Sequence, residues 1–294
     1  MEVLRLNNPL KISNINDLNL QIIDIKSFDK ATETSDSTSD DDSGSNSDSE
    51  ITFEKNTDKF YINIFGITAE GYSVSIRVED FEPYFYIYLP EITKQKDLDQ
   101  FIQNLKNCLP KKYSQNSISS YGLIKRKKFV GFDPELDEQG QFIGNKQYIF
   151  IYLKFYNKKT WQLCSSILNP RDDDGNFLKG QKAIEKLKRR KFNIVNKPEL
   201  YESNIDPILR FLHIRDITSC GWITLPAKKF SVNKSKLKNS HCQLDLVTKW
   251  GNINHYENSA ISKIVVASYD IEADSSHGDF PVAIKGYKKL AANI

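Results

Sequence analysis

Residues 60–90 read FYINIFGITAEGYSVSIRVEDFEPYFYIYLP, and this run carries the clearest structural signal in the chain. Aromatic and β-branched residues alternate with polar ones along it, as they do in strands that bury one face. The tripeptide Ala69-Glu70-Gly71 interrupts the alternation and predicts a tight turn. The sequence therefore predicts a hairpin or meander of strands at this position.

Flanking segments extend this sheet and add helices to it. Leu98, Phe101, Ile102 and Leu105 recur at helical spacing, which predicts an amphipathic helix packed against the sheet. Further strands are predicted at residues 20–28, 121–132 and 145–157, with a polar turn at 133–144, and further helices at 160–168 and 207–217. The predicted fold class is mixed α/β, an α+β arrangement.

An acidic segment interrupts the chain at residues 32–50, TETSDSTSDDDSGSNSDSE. It contains no aliphatic or aromatic residue to bury, so we expect a solvated, disordered loop. Removing its seven acidic residues from a chain of net charge +3 leaves a remainder of +10. Such a basic remainder fits a polyanionic partner such as nucleic acid, although a solvated lysine-rich surface would give the same excess.

Basic residues are concentrated at 125–128, 186–191 and 228–238, and aromatic residues interleave with the first and third clusters. Phosphate contacts, combined with base stacking on Tyr121, Phe129, Phe132 or Phe230, would make a single-strand-binding surface. The same aromatic side chains would equally serve as the core side of amphipathic strands. The candidate nucleic-acid-binding residues are Lys125, Arg126, Lys127, Lys128 and Arg210.

Two carboxylates end the apolar run IVVASYDIE at residues 264–272. Asp270 and Glu272 share one face of a predicted strand, because successive side chains alternate between faces. Carboxylates this close repel each other unless a cation lies between them, which suits a hard divalent ion such as Mg²⁺ or Mn²⁺. A solvated strand end would have the same pattern, so these residues alone leave both interpretations open.

Several common chemistries find no support in the sequence. It contains no glycine-rich phosphate loop, no nucleophile elbow and no CxxC pair, and the four cysteines, Cys108, Cys164, Cys220 and Cys242, are expected to be free thiols in a reducing compartment. No apolar run approaches the length of a membrane span, and the first residues lack the apolar core of a signal peptide. We therefore expect a soluble intracellular protein without membrane contacts.

Five blocks, in this order, resemble the amino-terminal region of family B DNA polymerases, especially delta-type replicative enzymes and their relatives in large DNA viruses. Residues 78–90 resemble the family's F-x-PYFY strand, 127–132 its F-x-G-F/Y strand, and 201–226 its run of YE-x-N, RF and GW-x-x-LP. CQLDL at 242–246 is similar to the strand before the exonuclease domain, and VVASYDIEAD at 265–274 resembles the first exonuclease motif, D-I-E. The matching residues are Phe81, Pro83, Tyr84, Phe85, Tyr86, Phe129, Gly131, Phe132, Tyr201, Glu202, Asn204, Arg210, Phe211, Gly221, Trp222, Leu225, Pro226, Asp270 and Glu272.

The resemblance implies that Asp270 and Glu272 are catalytic ligands of two divalent ions, Mg²⁺ or Mn²⁺, in a 3′→5′ proofreading exonuclease. It also implies a β-rich amino-terminal polymerase domain at 1–240, followed at 241–294 by the truncated start of an RNase H-like exonuclease domain. The later exonuclease carboxylates and the polymerase motifs DxxSLYPS, KxxxNSxYG and DTDS are missing. We therefore expect a fragment, split gene product or truncated paralogue without polymerase or nuclease activity of its own.

Three functional hypotheses remain. In the first, the chain is the amino-terminal part of a family B polymerase acting in DNA replication, in the nucleus or a viral factory. It would bind single-stranded template DNA and contribute the first metal-binding motif, with the rest of the polymerase and a processivity factor as partners. In the second, it is a non-catalytic nucleic-acid-binding or partner-docking module. In the third, carboxylates such as Asp206 or Asp216 complete a minimal nuclease.

Overall fold

The computed structural model describes residues 17–30, 58–113, 118–128, 131–233, 240–264 and 268 of the 294 in the chain. The strands of these residues are β1 (Leu18–Lys30), β2 (Lys59–Thr68), β3 (Ser73–Glu79), β4 (Tyr84–Tyr88), β5 (Ile118–Lys127), β6 (Pro134–Leu136), β7 (Phe142–Asn145), β8 (Gln147–Phe155), β9 (Glu199–Tyr201), β10 (Trp222–Leu225), β11 (Phe230–Val232), β12 (Leu244–Lys249) and β13 (Asn254–His255). The helices are α1 (Gln95–Cys108), α2 (Lys158–Leu168), α3 (Gly180–Arg189) and α4 (Pro207–Ile214). Among the helices that these residues form, none is both long enough and apolar enough to cross a membrane.

The larger sheet has seven strands in the order β11-β12-β3-β2-β1-β10-β13. Its β2–β3 hairpin closes at the predicted turn, where the Thr68 N–H donates to Tyr72 O at 3.0 Å and Gly71 adopts φ +99°. Glycine populates this left-handed region without the steric cost that a side chain adds. Strand β12 pairs with β3 in parallel, while the other pairings are antiparallel. The sheet and α4 bury a core of their own that includes Ile62, Ile76 and Phe211.

The smaller sheet has four antiparallel strands in the order β5-β8-β4-β9. Along the chain its elements run β4-α1-β5-β8-α2-β9, which is the β-α-β-β-α-β pattern of a ferredoxin-like unit. Side chains from α1, α2 and α3 pack on one face of this sheet, against a second core that includes Phe85, Ile87, Leu153 and Phe155. The opposite face is therefore available to carry a site.

The predicted α+β class and its main elements are confirmed, while the short strands β9, β10, β11 and β13, a hairpin and a helix were not predicted. The polar turn predicted at 133–144 contains the β6–β7 hairpin, which is closed by the Asp137 carboxylate accepting the N–H groups of Gln139 and Gln141. The basic cluster at 186–191 overlaps α3, which the sequence analysis did not predict. Only Ala183, Ile184 and Leu187 are buried in α3, so its apolar stripe is short and surrounded by charges.

Glu91 ties the loop after β4 to the segment before β9. Its carboxylate accepts the N–H groups of Val195 at 2.8 Å and Asn196 at 3.0 Å, and the Asn196 side-chain amide at 3.0 Å. Burial alone would raise the pKa of Glu91, but the hydrogen bonds from Asn196 and Val195 outweigh it and hold the pKa below its ordinary value. A carboxyl with a lowered folded-state pKa stabilises the fold above its unfolded-state pKa, and this stabilisation is lost as the pH falls through the folded value.

We expect Glu91→Gln to lower the free energy of unfolding by about 1 kcal/mol at about pH 7, because the amide accepts these hydrogen bonds less strongly. The difference from the wild type should be smaller at about pH 3, because the stabilisation that the ionised carboxylate provides is lost as the pH falls through its folded-state pKa. Urea unfolding at both pH values measures it, with Glu138→Gln in the exposed β6–β7 turn as the control. A difference that persists unchanged in acid would contradict this account.

Candidate nucleic-acid interface

Six tyrosines lie on the face of the four-stranded sheet that α1 and α2 leave uncovered. Phe85 and Ile87 of β4 are buried toward the helices, so the alternating residues of that strand point the other way. The strand register places the remaining tyrosines on the same side, since Tyr86 pairs with both Tyr152 and Tyr201. All six are half-buried. We call this surface the tyrosine face: Tyr84, Tyr86, Tyr88, Tyr148, Tyr152 and Tyr201.

Ring contacts hold the tyrosine face in a defined shape. Tyr88 meets Tyr148 edge to face with ring centroids 5.5 Å apart, and it also contacts Phe150 at 5.5 Å. Phe150 in turn meets Tyr201 edge to face at 5.1 Å. Tyr84 and Tyr86 form a further T-shaped pair at 5.7 Å. Edge-to-face aromatic contacts restrain ring orientation, so these rings have little conformational freedom left to lose on binding.

Gly122 of β5 shapes the floor of this surface. A Cβ atom built at this position would lie 2.7 Å from Cε1 and 2.9 Å from the hydroxyl of Tyr152. The Tyr152 ring therefore lies across β5 at a residue without a side chain. Next to it is a cavity of about 410 Å³ between the two sheets. Its lining is Asp80, Phe81, Glu82, Tyr84, Tyr86, Ile124, Tyr152, Lys154, Ile214 and Trp250.

Lys128 covers the other end of the tyrosine face. Its Nζ lies 3.7 Å from the centroid of the Tyr88 ring and 3.4 Å from Oε2 of Glu199. The Tyr201 hydroxyl donates to the same carboxylate oxygen at 3.0 Å. Burial, together with the hydrogen bond to Glu199, raises the pKa of Tyr201 to about 12, so this hydroxyl stays a neutral donor. Lys128, Glu199 and Tyr201 thus form a linked cluster at the β9 edge.

The other predicted basic residues of β5 are free of such partners. Lys125, Arg126 and Lys127 are exposed, and Arg126 donates only to the neighbouring Lys125 carbonyl at 3.0 Å. Where the structure describes the chain, no carboxylate lies within ion-pair distance of these three side chains. Arg126 pairs with Tyr148 across the strands, so it shares the side of the tyrosine face. A positive edge therefore borders the aromatic surface.

Arg210 has intramolecular partners and is only 8% exposed. Its guanidinium hydrogen-bonds the Glu202 carboxylate and the Glu202 carbonyl, and it lies 4.3 Å from the Tyr84 ring centroid. Burial alone would lower the pKa of Arg210, but hydrogen bonds with Tyr84 and Glu202 outweigh it and raise the pKa. The side chain joins α4 to one end of the tyrosine face. Its role as a DNA contact stays a prediction.

The aromatic residues that the sequence analysis proposed for stacking are dispersed. Tyr121 lies on the helix side of β5 and donates to Asp99 at 3.2 Å. Phe230 packs against the core of the larger sheet. Phe132 is 78% exposed and stacks on Phe142 of the β6–β7 hairpin. The tyrosine face was missed, although the alternation of Tyr84, Tyr86 and Tyr88 was visible in the sequence. Phe129 lies outside the described residues.

Asp270, Glu272 and the acidic segment 32–50 also lie outside the described residues. The two carboxylates suit Mg²⁺ or Mn²⁺ by donor type, since these ions prefer oxygen ligands. Within the part of the chain that the structure describes, no group of three or more His, Cys, Asp or Glu side chains could hold a metal ion. The metal site and the domain boundary at 240 therefore stay predictions.

Comparisons with known proteins show a similarity to DNA polymerases. Residues 199–287 match the family model for the exonuclease domain of DNA polymerase family B. A DNA polymerase of Phaeocystis pouchetii virus is 36% identical over 247 residues, covering 82% of this chain and 21% of the relative. The DNA polymerase delta catalytic subunit of Dictyostelium discoideum is 28% identical over 232 residues, covering 75% and 18%. A family B DNA polymerase structure from Pyrobaculum calidifontis covers 83% of this chain and 21% of that chain, with 10% identity and a TM-score of 0.42.

The chain is therefore similar to the family B DNA polymerases, as the sequence motifs predicted, and its residues 199–287 match their exonuclease domain. Within that family its relatives include viral DNA polymerases and delta catalytic subunits. The chain spans about a fifth of the length of the curated relatives it matches.

Proposed function

We propose that this chain is the DNA-binding amino-terminal part of a family B replicative polymerase, and that its tyrosine face holds single-stranded template. The observation that carries the proposal is the row of tyrosines on the uncovered face of the ferredoxin-like sheet. In RNA-recognition modules, a four-stranded sheet binds a single strand by stacking bases on aromatic side chains. Here the central strands β4 and β8 carry Tyr84, Tyr86, Tyr88, Tyr148 and Tyr152.

The charges around the tyrosine face support the same assignment. Arg126 lies exposed at the β5 edge on the side of the tyrosine face, where it can contact phosphates while the bases stack on the rings. Lys125 and Lys127 are exposed on the other side of the same edge strand and add to its positive charge. Tyr86 remains a neutral phenol because burial, helped by Tyr84 and Glu202, raises its pKa. A neutral aromatic surface with a cationic edge suits a flexible single strand, whose bases are exposed, better than a duplex, whose bases are already stacked.

The exonuclease component of the proposal rests on Asp270 and Glu272. The match of residues 199–287 to the exonuclease-domain family supports it, since both residues fall within that range. These carboxylates would supply oxygen ligands on one side of a Mg²⁺ or Mn²⁺ site, with further ligands from elsewhere in a polymerase. A divalent ion bound there would provide a hydroxide nucleophile and stabilise developing charge on the phosphate.

A non-catalytic nucleic-acid-binding or partner-docking module is the second candidate, favoured by the aromatic and basic residues of the described surface, which can bind DNA without a metal ion. The two candidates differ in metal dependence, because a docking module binds DNA with no change on adding Mg²⁺. The remainder of the polymerase, a processivity factor and a nuclear or viral replication compartment belong to the first candidate.

Base stacking is tested by comparing three ligands of equal length by fluorescence anisotropy: a single strand, its duplex and an abasic single strand. We expect the single strand to bind at least about tenfold more tightly than the abasic strand, because base–aromatic stacking contributes ~1–3 kcal/mol per base while the phosphates are the same. The duplex should also bind more weakly. Equal affinity for all three would mean that charge alone drives binding, and the tyrosine face would then not be the site.

A further inference from the structure

A second polar groove lies along the free edge of β9, on the side away from β4. It has a volume of about 1130 Å³ and is bounded by the end of α2, by α3 and by the segments that flank β9. Four cationic side chains line it, and we call it the basic groove: Arg171, Lys186, Arg190 and Lys197. Two of the four belong to the basic run at 186–191, which the tyrosine face does not use.

The four cations are oriented by neutral partners. Arg171 donates to Gly175 O at 2.9 Å and Lys186 to Arg171 O at 2.6 Å. Arg190 donates to Ile167 O at 3.0 Å, and Lys197 donates to Leu178 O at 3.1 Å. None of them forms an ion pair with a carboxylate of the described residues. Main-chain carbonyls fix the side chains without cancelling their charge, and each cation keeps further N–H donors for a ligand.

The nearby acidic groups do not neutralise the groove. Glu199 is the carboxylate in its lining, and this group is already engaged by Lys128 at 3.4 Å and the Tyr201 hydroxyl at 3.0 Å. Asp172, Asp173 and Asp174 follow Arg171 in the next turn but do not line the groove. The Asp172 carboxylate caps that turn by accepting the Asn176 N–H at 2.7 Å. The groove is therefore a positively charged surface.

Neutral donors and a planar surface complete the lining. Ser165, Ser166 and Asn204 contribute hydroxyl and amide groups, the side chains that contact phosphates and sugars beside lysine and arginine. Phe177 is 48% exposed, and the Arg171 guanidinium lies 4.0 Å from its ring centroid. This mixture of cations, small polar donors and planar groups matches a nucleic-acid strand better than an acidic peptide, which offers no bases to stack.

The groove is continuous with the tyrosine face. Tyr201 belongs to both surfaces, because it lines the groove and its ring also meets Phe150 on the sheet. We propose that the basic groove binds the sugar–phosphate backbone of the single strand whose bases stack on the tyrosine face, so that the strand passes over the β9 edge at Tyr201. This inference rests on the proposed function and extends the site beyond the sheet.

The test uses the whole chain with short and long single-stranded oligonucleotides, titrated at several salt concentrations. The groove variant Arg171→Gln, Lys186→Gln and Lys197→Gln removes three positive charges and retains side-chain amide donors. The matched control, Lys182→Gln, Lys188→Gln and Arg189→Gln, removes three exposed charges from α3 without touching the groove lining. We expect the groove variant to bind the long oligonucleotide about tenfold more weakly, with a log–log salt slope smaller by about 2, because each phosphate contact contributes about 0.7.

The short oligonucleotide separates this inference from the proposed function. It should bind the wild type and the groove variant equally, because it reaches only the tyrosine face. If the wild type does not bind the short oligonucleotide, the proposed stacking function is wrong. If the wild type binds it, but the groove variant and the control variant bind the long oligonucleotide equally well, the groove inference is wrong. A second variant, Ser166→Asp with Asn204→Asp, adds negative charge at exposed groove positions and should give the same loss without disturbing the four cations. Competition by polyglutamate but not by DNA would identify an acidic protein partner instead and overturn the inference.

Discussion

Replacing Tyr86 and Tyr152 together by leucine is expected to weaken binding of a single-stranded oligonucleotide about 30-fold or more. Each base stacked on an aromatic ring contributes ~1–3 kcal/mol, so losing two rings removes at least about 2 kcal/mol. The two residues pair across β4 and β8 and form part of the wall of the 410 Å³ cavity. Leucine retains apolar bulk on this half-buried surface but offers no π-face to a base.

The control for this pair is Tyr121→Leu. Tyr121 is one of the aromatic residues that the sequence analysis chose for stacking, yet it lies on the opposite side of β5 and donates to Asp99. We expect its substitution to leave affinity for single strands within about twofold, since it removes no ring from the tyrosine face. Both variants should be titrated at one salt concentration, with thermal unfolding followed by circular dichroism to confirm folding. If Tyr121→Leu weakens binding as much as the double variant, the site lies on the other side of the sheet.

The spacing of apolar and polar residues predicted the individual helices and strands well, because it reflects directly which side chains are buried. The four apolar residues at helical spacing in α1, from Leu98 to Leu105, are all buried in the structure. The same is true of the inward residues Val74, Ile76 and Val78 of β3. Propensity and periodicity act over a few residues, which is the range in which a single sequence is informative.

Strand pairing was not predictable in the same way. Strand β12 pairs with β3 in parallel, with Leu244 opposite Val74, although 170 positions separate them. The division into two sheets with separate cores also depends on such distant pairings. The alternation of buried and exposed residues in a strand does not identify the strand that pairs with it, because the alternation shows only which face is buried.

The candidate site shows the same limit. The alternation along β4 assigns Tyr84, Tyr86 and Tyr88 to one face and Phe85 and Ile87 to the other. It does not indicate which of these faces the helices cover. Likewise, KRKK reads as four equivalent cations, whereas Lys128 is paired with Glu199, 71 positions away, while the other three are exposed. Exposure and pairing are tertiary properties, so the basic cluster could be found from sequence but its members could not be ranked.

Glu202→Ala is expected to lower the free energy of unfolding by about 2–3 kcal/mol, because it leaves the buried guanidinium of Arg210 without its carboxylate. Removing one partner of a fully buried ion pair costs about 3–5 kcal/mol, and the loss is smaller here because the Glu202 side chain is 43% exposed. Glu202 adopts φ +62°, but alanine also carries a Cβ, so the substitution changes the backbone strain little. Urea unfolding of the variant measures the loss.

The double variant Glu202→Ala with Arg210→Met separates the lost charge partner from lost packing. Methionine can replace the apolar stem of Arg210 between α4 and Tyr84 without leaving a buried charge, so we expect it to restore at least about half of the stability lost in Glu202→Ala. A double variant no more stable than Glu202→Ala would mean that the guanidinium stabilises the fold through its contact with the Tyr84 ring, at 4.3 Å.

The single variant Arg210→Met then decides between the two roles of this residue. If Arg210 acts only within the fold, its substitution should leave the salt dependence of single-strand binding unchanged, because no phosphate contact is lost. If it contacts a phosphate, as the sequence analysis proposed, the slope should fall by about 0.7. Since the guanidinium is engaged by Glu202 and only 8% exposed, we expect the first result. The second result would require the Arg210–Glu202 ion pair to break when DNA binds, so that the guanidinium contacts a phosphate in place of the Glu202 carboxylate.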